Sequence, residues 1–328
     1  MRMKFLAIAS VIIAAILAVL GLLLRTETSF DGSHFNRNLN AVWVGHRWVT
    51  QDASDDEITD LARLLARHGI KYLYVHVGPL QADGTILPSR YEGAGRFVTV
   101  ARRVEPGLVL LAWVGQIEKS GGGILDLSNP AVRNRVAQTS TIFTAELDFD
   151  GIHYDIEPIL DGNQDFLDLL RLTREKQLGR NALLSTAAPK WVPDAYIPSF
   201  LRLVYRPGAV WTDSYYKEVD QCVDQIAVMA YDTALPWAPA YSLFMKLQTS
   251  SILGAVKSAE VLMGVPTYYE PSWGHSPDAE NVNSAIKGVI AGLNSTKATD
   301  NFAGVAIYPL WETSEEKWEA YRRLWLGR

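Results

Sequence analysis

The sequence predicts a single (β/α)8 barrel, a closed parallel sheet surrounded by helices, and three observations lead to it. Eight short apolar segments rich in Val, Ile, Leu and Tyr alternate along the chain with longer segments of helical periodicity. Strand, helix, strand in sequence requires right-handed crossovers between parallel strands, and eight such units in about 290 residues match a barrel better than an open sheet. The chain also lacks a Gly-x-Gly-x-x-Gly or Walker loop, the Gly-rich phosphate turn expected of an open nucleotide-binding sheet.

The individual elements follow from the same periodicity. The predicted strands are Ala41–Val44, Tyr72–Val77, Leu108–Val114, Gly151–Ile156, Ala182–Ala187, Gln225–Tyr231, Val261–Val265 and Ala303–Tyr308. The predicted helices include Asp55–Arg67, Pro130–Glu146, Gln164–Lys176, Asp278–Leu293 and Ser314–Trp325.

The composition is that of a folded protein with a mildly acidic charge. Of the 328 residues, 48% are hydrophobic, 10% aromatic and only 20% charged, which excludes a disordered or collagen-like chain. Lysine and arginine total 31 against 36 aspartate and glutamate, a net charge of −5. There is no basic excess to neutralise a phosphate backbone, so nucleic acid is not an expected partner.

An apolar run, Phe5–Leu24, lies near the start of the chain. It holds twenty uncharged residues, follows Arg2 and Lys4 and is closed by Arg25, so it is long enough to cross a bilayer. The run is longer than the core of a usual signal peptide and no Ala-x-Ala site follows, which favours an uncleaved signal anchor over a cleaved signal. The basic flank predicts that residues 1–25 place the rest of the chain on the extracytoplasmic side of the cell membrane, or secrete it if the signal is cleaved.

The remainder divides into a short connection and the barrel. Residues 26–40 are polar and predict a stalk, and residues 41–328 carry the alternating pattern of the barrel. Without the N-terminal run and its basic flank, the net charge is −7 rather than −5. The only cysteine, Cys222, has no partner for an intramolecular disulfide, and we expect it to be a buried structural thiol.

The fourth predicted strand carries three polar side chains on one face. His153, Asp155 and Glu157 are two residues apart, so all three point into a barrel while their neighbours point outward. Two carboxyl groups and an imidazole in such a place must be hydrogen-bonded, share protons or bind a cation. Glu157 lies nearest the C-terminal end of the strand, where barrel enzymes place their reactive groups, and is best placed to reach a substrate.

This strand resembles the signature of the family 18 glycoside hydrolases, the chitinase and endo-N-acetylglucosaminidase superfamily. The signature reads Asp-Gly-x-Asp-x-Asp-x-Glu, and residues 150–157 read Asp-Gly-Ile-His-Tyr-Asp-Ile-Glu. Three further segments resemble family motifs in the same order along the chain, so that the resemblance spans roughly residues 40–328. They are Val228–Asp232 for Met-x-Tyr-Asp, Leu262–Tyr269 for Gly-x-Pro-x-Tyr, and Gly304–Tyr308 where the family usually has Gly-x-x-x-Trp.

Two departures from the family pattern affect the expected chemistry. His153 replaces an Asp that in the family lies behind the next Asp and helps it to cycle its proton. The third strand, with the segment Leu111–Gly115, lacks the usual Ser-x-Gly-Gly. A histidine behind Asp155 is expected to donate a hydrogen bond or a charge, which lowers the pKa of Asp155.

The resemblance implies a retaining glycoside hydrolase that uses the substrate's own acetamido group as nucleophile. Glu157 is then the general acid and base, Asp155 orients the 2-acetamido group, Tyr231 hydrogen-bonds the acetamido oxygen and Asp232 contacts the sugar. Desolvation and the neighbouring Asp155 are expected to raise the pKa of Glu157. The implied partner is a polysaccharide or oligosaccharide with β-linked N-acetylglucosamine. No cofactor and no metal are implied, and a monomer is expected.

Aromatic residues at the predicted strand ends support sugar binding. Their flat apolar faces suit the apolar faces of pyranose rings. The tryptophans at or just beyond strand ends are Trp43, Trp48, Trp113, Trp191, Trp237, Trp273 and Trp311, whereas Trp318 and Trp325 have the helical spacing of core residues. The candidate substrate-binding residues are Asp232, His153, Trp43, Trp113, Tyr268, Tyr308 and Trp311.

Two other functions remain open at this point. His46, His76 and His153 fall near the ends of three strands, and Asp155 and Glu157 complete a possible ligand set for a metal-dependent barrel hydrolase. The second alternative is a non-catalytic or weakly active sugar-binding barrel of the chitinase-like kind. Such proteins usually lose the catalytic acid, whereas Glu157 is present, so the sequence argues against this alternative but His153 keeps it open.

Overall fold

The sheet closes into a barrel of eight parallel strands, which confirms the predicted fold class. A computed structural model describes residues 30–177, 182–194, 210–271 and 274–328. The strands are β1 (Asn40–Val44), β2 (Ile70–Pro79), β3 (Val109–Ile117), β4 (Gly151–Glu157), β5 (Leu183–Ala188), β6 (Lys190–Val192), β7 (Val210–Thr212), β8 (Gln225–Val228), β9 (Glu260–Pro266) and β10 (Phe302–Tyr308). Around the barrel the order is β1-β10-β9-β8-β5-β4-β3-β2, and β6 pairs with β7 in a separate two-stranded sheet.

Helices follow the strands and pack on the outside of the barrel. They are α1 (Asp55–Arg67), α2 (Ala94–Val104), α3 (Pro130–Ala145), α4 (Gln164–Gln177), α5 (Asp213–Asp220), α6 (Ala238–Ala255), α7 (Val282–Ser295) and α8 (Glu315–Tyr321). The expected helices are all present, with two differences. Helix α7 begins four residues later than predicted because Asn281 caps it, accepting hydrogen bonds from the backbone of Asn283 and Ser284. Helix α8 ends at Tyr321, and a π-helical turn, Arg322–Leu326, continues the chain.

One predicted strand is shorter than expected, and the difference lies at the site. Strand β8 was predicted to run to Tyr231 but ends at Val228. Asp232 and Ala234 then adopt left-handed backbone angles, with φ of 56° and 58°, so the chain turns away from the strand direction. Tyr231 and Asp232 therefore lie in the loop after β8, at the C-terminal mouth of the barrel.

The register of β3 and β4 positions the polar face of the fourth strand. Trp113 pairs with His153, Gly115 with Asp155, and Ile117 with Glu157. Inward-facing apolar side chains fill the barrel interior below this level. They include Ala41, Trp43, Tyr72, Tyr74, Leu111, Ala227, Leu262, Ala303 and Ala306.

The described part of the predicted stalk packs on the end of the barrel opposite its C-terminal mouth. The Gly32 amide donates to the carbonyl of Leu324 at 2.8 Å, and Arg37 Nη1 donates to the carbonyls of Asp300 and Phe302 at 2.9 and 3.1 Å. The stalk prediction is therefore wrong for residues 30–40. The polar groups of this segment form hydrogen bonds with that end of the barrel and do not extend freely into solvent.

Two further expectations can be compared with the structure. Cys222 is free and 8% exposed, as predicted for a structural thiol, and Trp318 and Trp325 are buried in the core. The predicted anchor, residues 1–25, lies outside the described residues. Within the described ranges, no helix combines the length and apolarity needed to span a membrane.

Candidate active site

Two carboxyl groups adjoin at the C-terminal end of β4. Asp155 is half-buried, and Glu157 lies exposed at the mouth of the barrel with protein surrounding its carboxyl group. Desolvation by the surrounding protein raises the pKa of Glu157, and the negative charge of Asp155 raises it further. Burial also raises the pKa of Asp155, and interactions with the Trp113 indole N–H and with Glu157 offset part of that rise. The pair therefore favours the state in which Glu157 holds a proton and Asp155 is the anion, as the sequence predicts for an acid.

Beside this pair, one buried donor and one buried acceptor make no hydrogen bond of normal geometry among the described residues, although Trp113 lowers the pKa of Asp155. They are Trp113 Nε1 and Asp155 Oδ1. Gly115 makes the close approach of β3 and β4 possible, because a Cβ there would lie 2.8 Å from the Asp155 carbonyl and 3.3 Å from Trp113 Nε1. The two atoms are one donor and one acceptor, so a ligand that carries both an acceptor and an N–H or O–H can engage them.

His153 is a buried, uncharged residue, which corrects two expectations. Its Nε2 accepts a hydrogen bond from Trp43 Nε1 at 3.1 Å, so the proton is assigned to Nδ1, which donates to Ser185 Oγ at 2.8 Å. Burial holds the pKa of the imidazole well below its usual value. Both ring nitrogens are occupied and the side chain is 0% exposed. Two predictions are therefore wrong. His153 neither donates a hydrogen bond nor supplies a positive charge to Asp155, and it does not bind substrate.

A chain of hydrogen bonds continues from His153 into the barrel. Ser185 Oγ donates to Gln225 Oε1 at 3.0 Å, and the Tyr74 hydroxyl donates to the same oxygen at 2.6 Å. The ring of Tyr74 also stacks on the imidazole of His153, with centroids 3.7 Å apart. These contacts satisfy the polar groups beneath the carboxyl pair, and Gln225 Nε2 donates in turn to Glu260 Oε2 at 3.3 Å.

Trp43 forms part of the floor of the site rather than its surface. It is 1% exposed, and its ring meets Tyr308 edge to face at 5.7 Å. The prediction that Trp43 stacks against a sugar is wrong, because no face of its ring is accessible. Trp43 lies on β1, as predicted. Its partner His153 is far away in the sequence and lies beside it only because the barrel closes.

The three predicted tyrosines and Asp232 meet opposite the carboxyl pair. Tyr231 stacks on Tyr308 with centroids 5.4 Å apart and an interplanar angle of 7°, and it meets Tyr268 edge to face at 6.0 Å. The Tyr268 hydroxyl donates to Asp232 Oδ1 at 2.6 Å. Gly264 leaves room for the Tyr231 ring, since a Cβ there would lie 2.9 Å from Tyr231 Cε1.

Exposed aromatic side chains lie on the rim around this site. Trp311 is 55% exposed and Trp237 is 60% exposed, in agreement with their predicted rim positions. Tyr269, which the sequence analysis did not single out, is 57% exposed, and Lys317 Nζ lies 3.3 Å from its ring centroid. Trp48 and Trp191 pack instead against the core, and Trp273 lies outside the described residues.

Lys190, at the start of β6, is a site residue that the sequence did not reveal. Burial lowers its pKa, while the charges of Asp232, Glu157 and Glu280 raise it. No carboxylate in the described ranges lies within ion-pair distance of its ammonium group, so it acts on Glu157 through its field, which lowers the pKa of that carboxyl. A single lysine after a strand has no distinguishing spacing, so sequence alone had no signal for it.

The histidines of the metal-hydrolase alternative do not form a ligand set. His46 and His76 lie edge to face with ring centroids 5.3 Å apart, and burial lowers the pKa of His76 to about 4. Both ring nitrogens of His153 form hydrogen bonds, one with Trp43 and one with Ser185. Among the described residues, the side chains that converge at metal-ligand spacing include none of these three histidines.

A parallel barrel with two adjoining carboxyl groups at its C-terminal mouth defines the class of the protein, a glycosidase. The sequence pattern described as Glycosyl hydrolases family 18 matches residues 47–324. The chain therefore belongs to glycoside hydrolase family 18, as its motifs indicated.

Solved structures of chitinases and of a cortex-lytic enzyme share the fold. The Group IV chitinase of Ostrinia furnacalis aligns with a TM-score of 0.60 and 17% identity over 88% of this chain and 100% of its own. A GH18 chitinase from Cycas revoluta, in complex with (GlcNAc)3, aligns with a TM-score of 0.60 and 16% identity, over 88% of this chain and 99% of its own. The Bacillus cereus spore cortex-lytic enzyme SleL aligns with a TM-score of 0.59 and 13% identity, over 86% of this chain and 73% of its own. No curated protein sequence matches the chain.

Proposed function

We propose that the protein hydrolyses β-linked glycans containing N-acetylglucosamine with retention of configuration, using the substrate's acetamido group as nucleophile. The observation that carries the proposal is the carboxyl pair at the end of β4, where burial and the charge of Asp155 raise the pKa of Glu157 and so favour a proton on it. Asp155 Oδ1, which makes no hydrogen bond of normal geometry among the described residues, can accept one from the acetamido N–H of a bound sugar. The Cycas revoluta chitinase, which was solved with (GlcNAc)3 bound, supports the same substrate class.

In this mechanism Glu157 donates its proton to the glycosidic oxygen as the bond to the anomeric carbon breaks. Asp155 accepts a hydrogen bond from the acetamido N–H and stabilises the positive charge that develops when the acetamido oxygen attacks. Tyr231 donates to that oxygen, and Asp232 contacts the sugar. Glu157, now a carboxylate, removes a proton from the water that opens the cyclic intermediate, and the anomeric configuration is restored.

Replacing Glu157 with glutamine tests the proposal, because it removes the proton while keeping the shape of the side chain. We expect Glu157→Gln to lower kcat on N-acetylglucosamine oligosaccharides by about 10²–10⁴-fold with little change in stability. Rates and product anomers are measured by chromatography of early time points, and the parent should release the β-anomer first.

The matched control is Glu146→Gln at the end of α3, an exposed glutamate on the opposite face of the barrel. It should retain the parent rate. An unchanged rate for Glu157→Gln refutes the assigned acid, and an inverted product refutes participation of the acetamido group.

We also propose that residues 1–25 anchor the enzyme in the cell membrane with the barrel on the extracytoplasmic side. The support is the twenty-residue apolar run with its basic N-terminal flank. An enzyme placed there meets polymeric glycans outside the cytoplasm.

A further inference from the structure

A cluster of three side chains, here called the rim triad, lies behind the substrate-facing side of the site. It consists of Asp232, after β8, and His275 and Glu280, both in the segment between β9 and α7. His275 Nδ1 lies 3.6 Å from Asp232 Oδ1 and 3.4 Å from Glu280 Oε2. One ligand atom from each residue lies within 4.8 Å of the other two.

Each member of the rim triad is oriented by a second contact. Glu280 Oε1 accepts hydrogen bonds from the backbone and hydroxyl of Thr233 at 3.0 and 2.9 Å. His275 Nε2 lies 3.3 Å from the carbonyl of Tyr268, which assigns its proton to Nε2 and leaves a lone pair on Nδ1. The Tyr268 hydroxyl donates to Asp232. Hydrogen bonds of this kind, from a ligating histidine to a carbonyl and from donors to a ligating carboxylate, characterise metal sites.

Two of the three atoms aimed at the centre of the rim triad are buried and lack partners, whereas Asp232 is half exposed and its Oδ1 accepts from Tyr268. His275 Nδ1 and Glu280 Oε2 make no hydrogen bond, and both side chains are 0% exposed. Leaving a buried carboxylate oxygen and an imidazole lone pair face to face is costly unless a cation or a proton joins them. The buried Lys190 interacts with Glu280 and Asp232 through its charge, but among the described residues its ammonium group forms no ion pair with either.

We propose that the rim triad binds a divalent transition-metal ion, of which Zn²⁺ fits best. Ligands about 2.0–2.2 Å from a tetrahedral Zn²⁺ are about 3.3–3.6 Å apart, which matches the two measured separations. One imidazole with two carboxylates suits zinc better than calcium or magnesium, which prefer all-oxygen ligands. Three protein ligands leave a fourth position for water. The ion joins the loop after β8 to the segment before α7 and so holds Asp232 beside the catalytic pair.

The test measures binding of Zn²⁺ alone to the full-length protein after treatment with a chelator. We expect one zinc ion per chain by calorimetric titration and a higher unfolding temperature with zinc. Glu280→Gln, which keeps the Oε1 acceptor for Thr233, should weaken zinc binding at least about tenfold, and Thr233→Val should weaken it by about 10–100-fold. The exposed His34→Ala serves as the matched control and should bind zinc like the parent.

The outcomes separate the inference from the proposed glycosidase. Glu157→Gln should bind zinc normally, because Glu157 is not part of the rim triad. A parent protein without zinc affinity overturns the inference. Equal zinc affinity of the parent and the folded Glu280→Gln and Thr233→Val variants overturns it as well, as does preferred binding of Ca²⁺ or Mg²⁺ over Zn²⁺.

Discussion

At the scale of single residues, the site depends on how one proton is held between Glu157 and Asp155. Both carboxyl groups have raised pKa values, chiefly because protein atoms replace water around them. The uncharged His153 contributes no charge to the pair. The charges that act on Glu157 come instead from its neighbour Asp155, from Lys190, which lowers its pKa, and from Asp232, which raises it.

The opposite effects of Lys190 and Asp232 lead to a prediction about pH dependence. Activity requires protonated Glu157, so kcat/KM falls as the pH rises through the pKa of that carboxyl. Lys190→Met removes a charge that favours the carboxylate, which raises this pKa and shifts the basic limb to higher pH. In protein treated with a chelator, Asp232→Asn removes a charge that favours the protonated form, and the limb shifts to lower pH.

The measurement is kcat/KM on an N-acetylglucosamine oligosaccharide as a function of pH. The position of the limb reports the pKa even where a variant also weakens substrate binding. Lys190→Arg, which keeps the positive charge, is the control and should leave the limb near its parent position. Shifts of Lys190→Met and Asp232→Asn in the same direction would contradict this account of the charges.

At the scale of secondary-structure elements, glycines determine how closely the strands and their side chains approach. Gly115 on β3 lets Asp155 and Trp113 lie side by side, and Gly264 on β9 leaves space for Tyr231. Both positions have backbone or ring atoms where a Cβ would be. The catalytic geometry thus depends on the absence of side chains on neighbouring strands as much as on the polar residues themselves.

A larger residue on β9 should therefore damage the site. A Cβ at Gly264 would lie 2.5 Å from the Val228 carbonyl and 2.9 Å from Tyr231, so Gly264→Val displaces the tyrosine. We expect a loss of about 1–3 kcal/mol in the free energy of unfolding and up to about 10²-fold in kcat/KM. Denaturant titration and steady-state kinetics provide the two values.

The control for this substitution is Gly254→Ala near the end of α6. No heavy atom would lie within 4 Å of the new Cβ there, so the free energy of unfolding should stay the same or rise by up to about 1 kcal/mol. A Gly264→Val variant with parent-like activity would show that the position of the Tyr231 ring is not required.

At the scale of the whole molecule, Asn40 ties distant parts of the chain together where the barrel closes. Its Oδ1 accepts from the Val305 amide at 3.1 Å and from Trp325 Nε1 at 2.7 Å, and its Nδ2 donates to the Gly69 carbonyl at 3.0 Å. Strands β1 and β10, the first and last of the barrel, pair in parallel beside it. The described segment before β1 and the C-terminal turn therefore cover one end of the barrel, and the site occupies the other.

The proposed anchor is also a property of the whole chain. We expect the full-length protein to remain with the membrane fraction after an alkaline wash and to be degraded by protease added from the extracytoplasmic side. Deleting residues 1–25 should move the barrel to the soluble fraction, which is the control. A full-length protein found in the soluble fraction, or an N-terminus beginning beyond Arg25, would contradict an uncleaved anchor.

Local patterns in the sequence predicted most of the barrel, because strand and helix periodicity reflect burial against neighbouring elements. Each barrel strand was predicted to within three residues at either end. The alternation of side-chain direction along β4 also predicted that Asp155 and Glu157 lie on the inner face, because this prediction depends on one strand alone. The loop geometry after β8 escaped prediction, since the left-handed Asp232 and Ala234 have no periodic signal.

The sequence by itself determined the fold class, the family motifs and the two carboxyl groups of the site. Only the tertiary structure decided which surfaces and charges those residues meet. Trp43 and His153 became buried partners, and His275 and Glu280 came to lie beside Asp232, because barrel closure joins residues far apart in the chain. The physical reason is that burial and electrostatic fields depend on distances in space, whereas sequence patterns report only on neighbours along the chain.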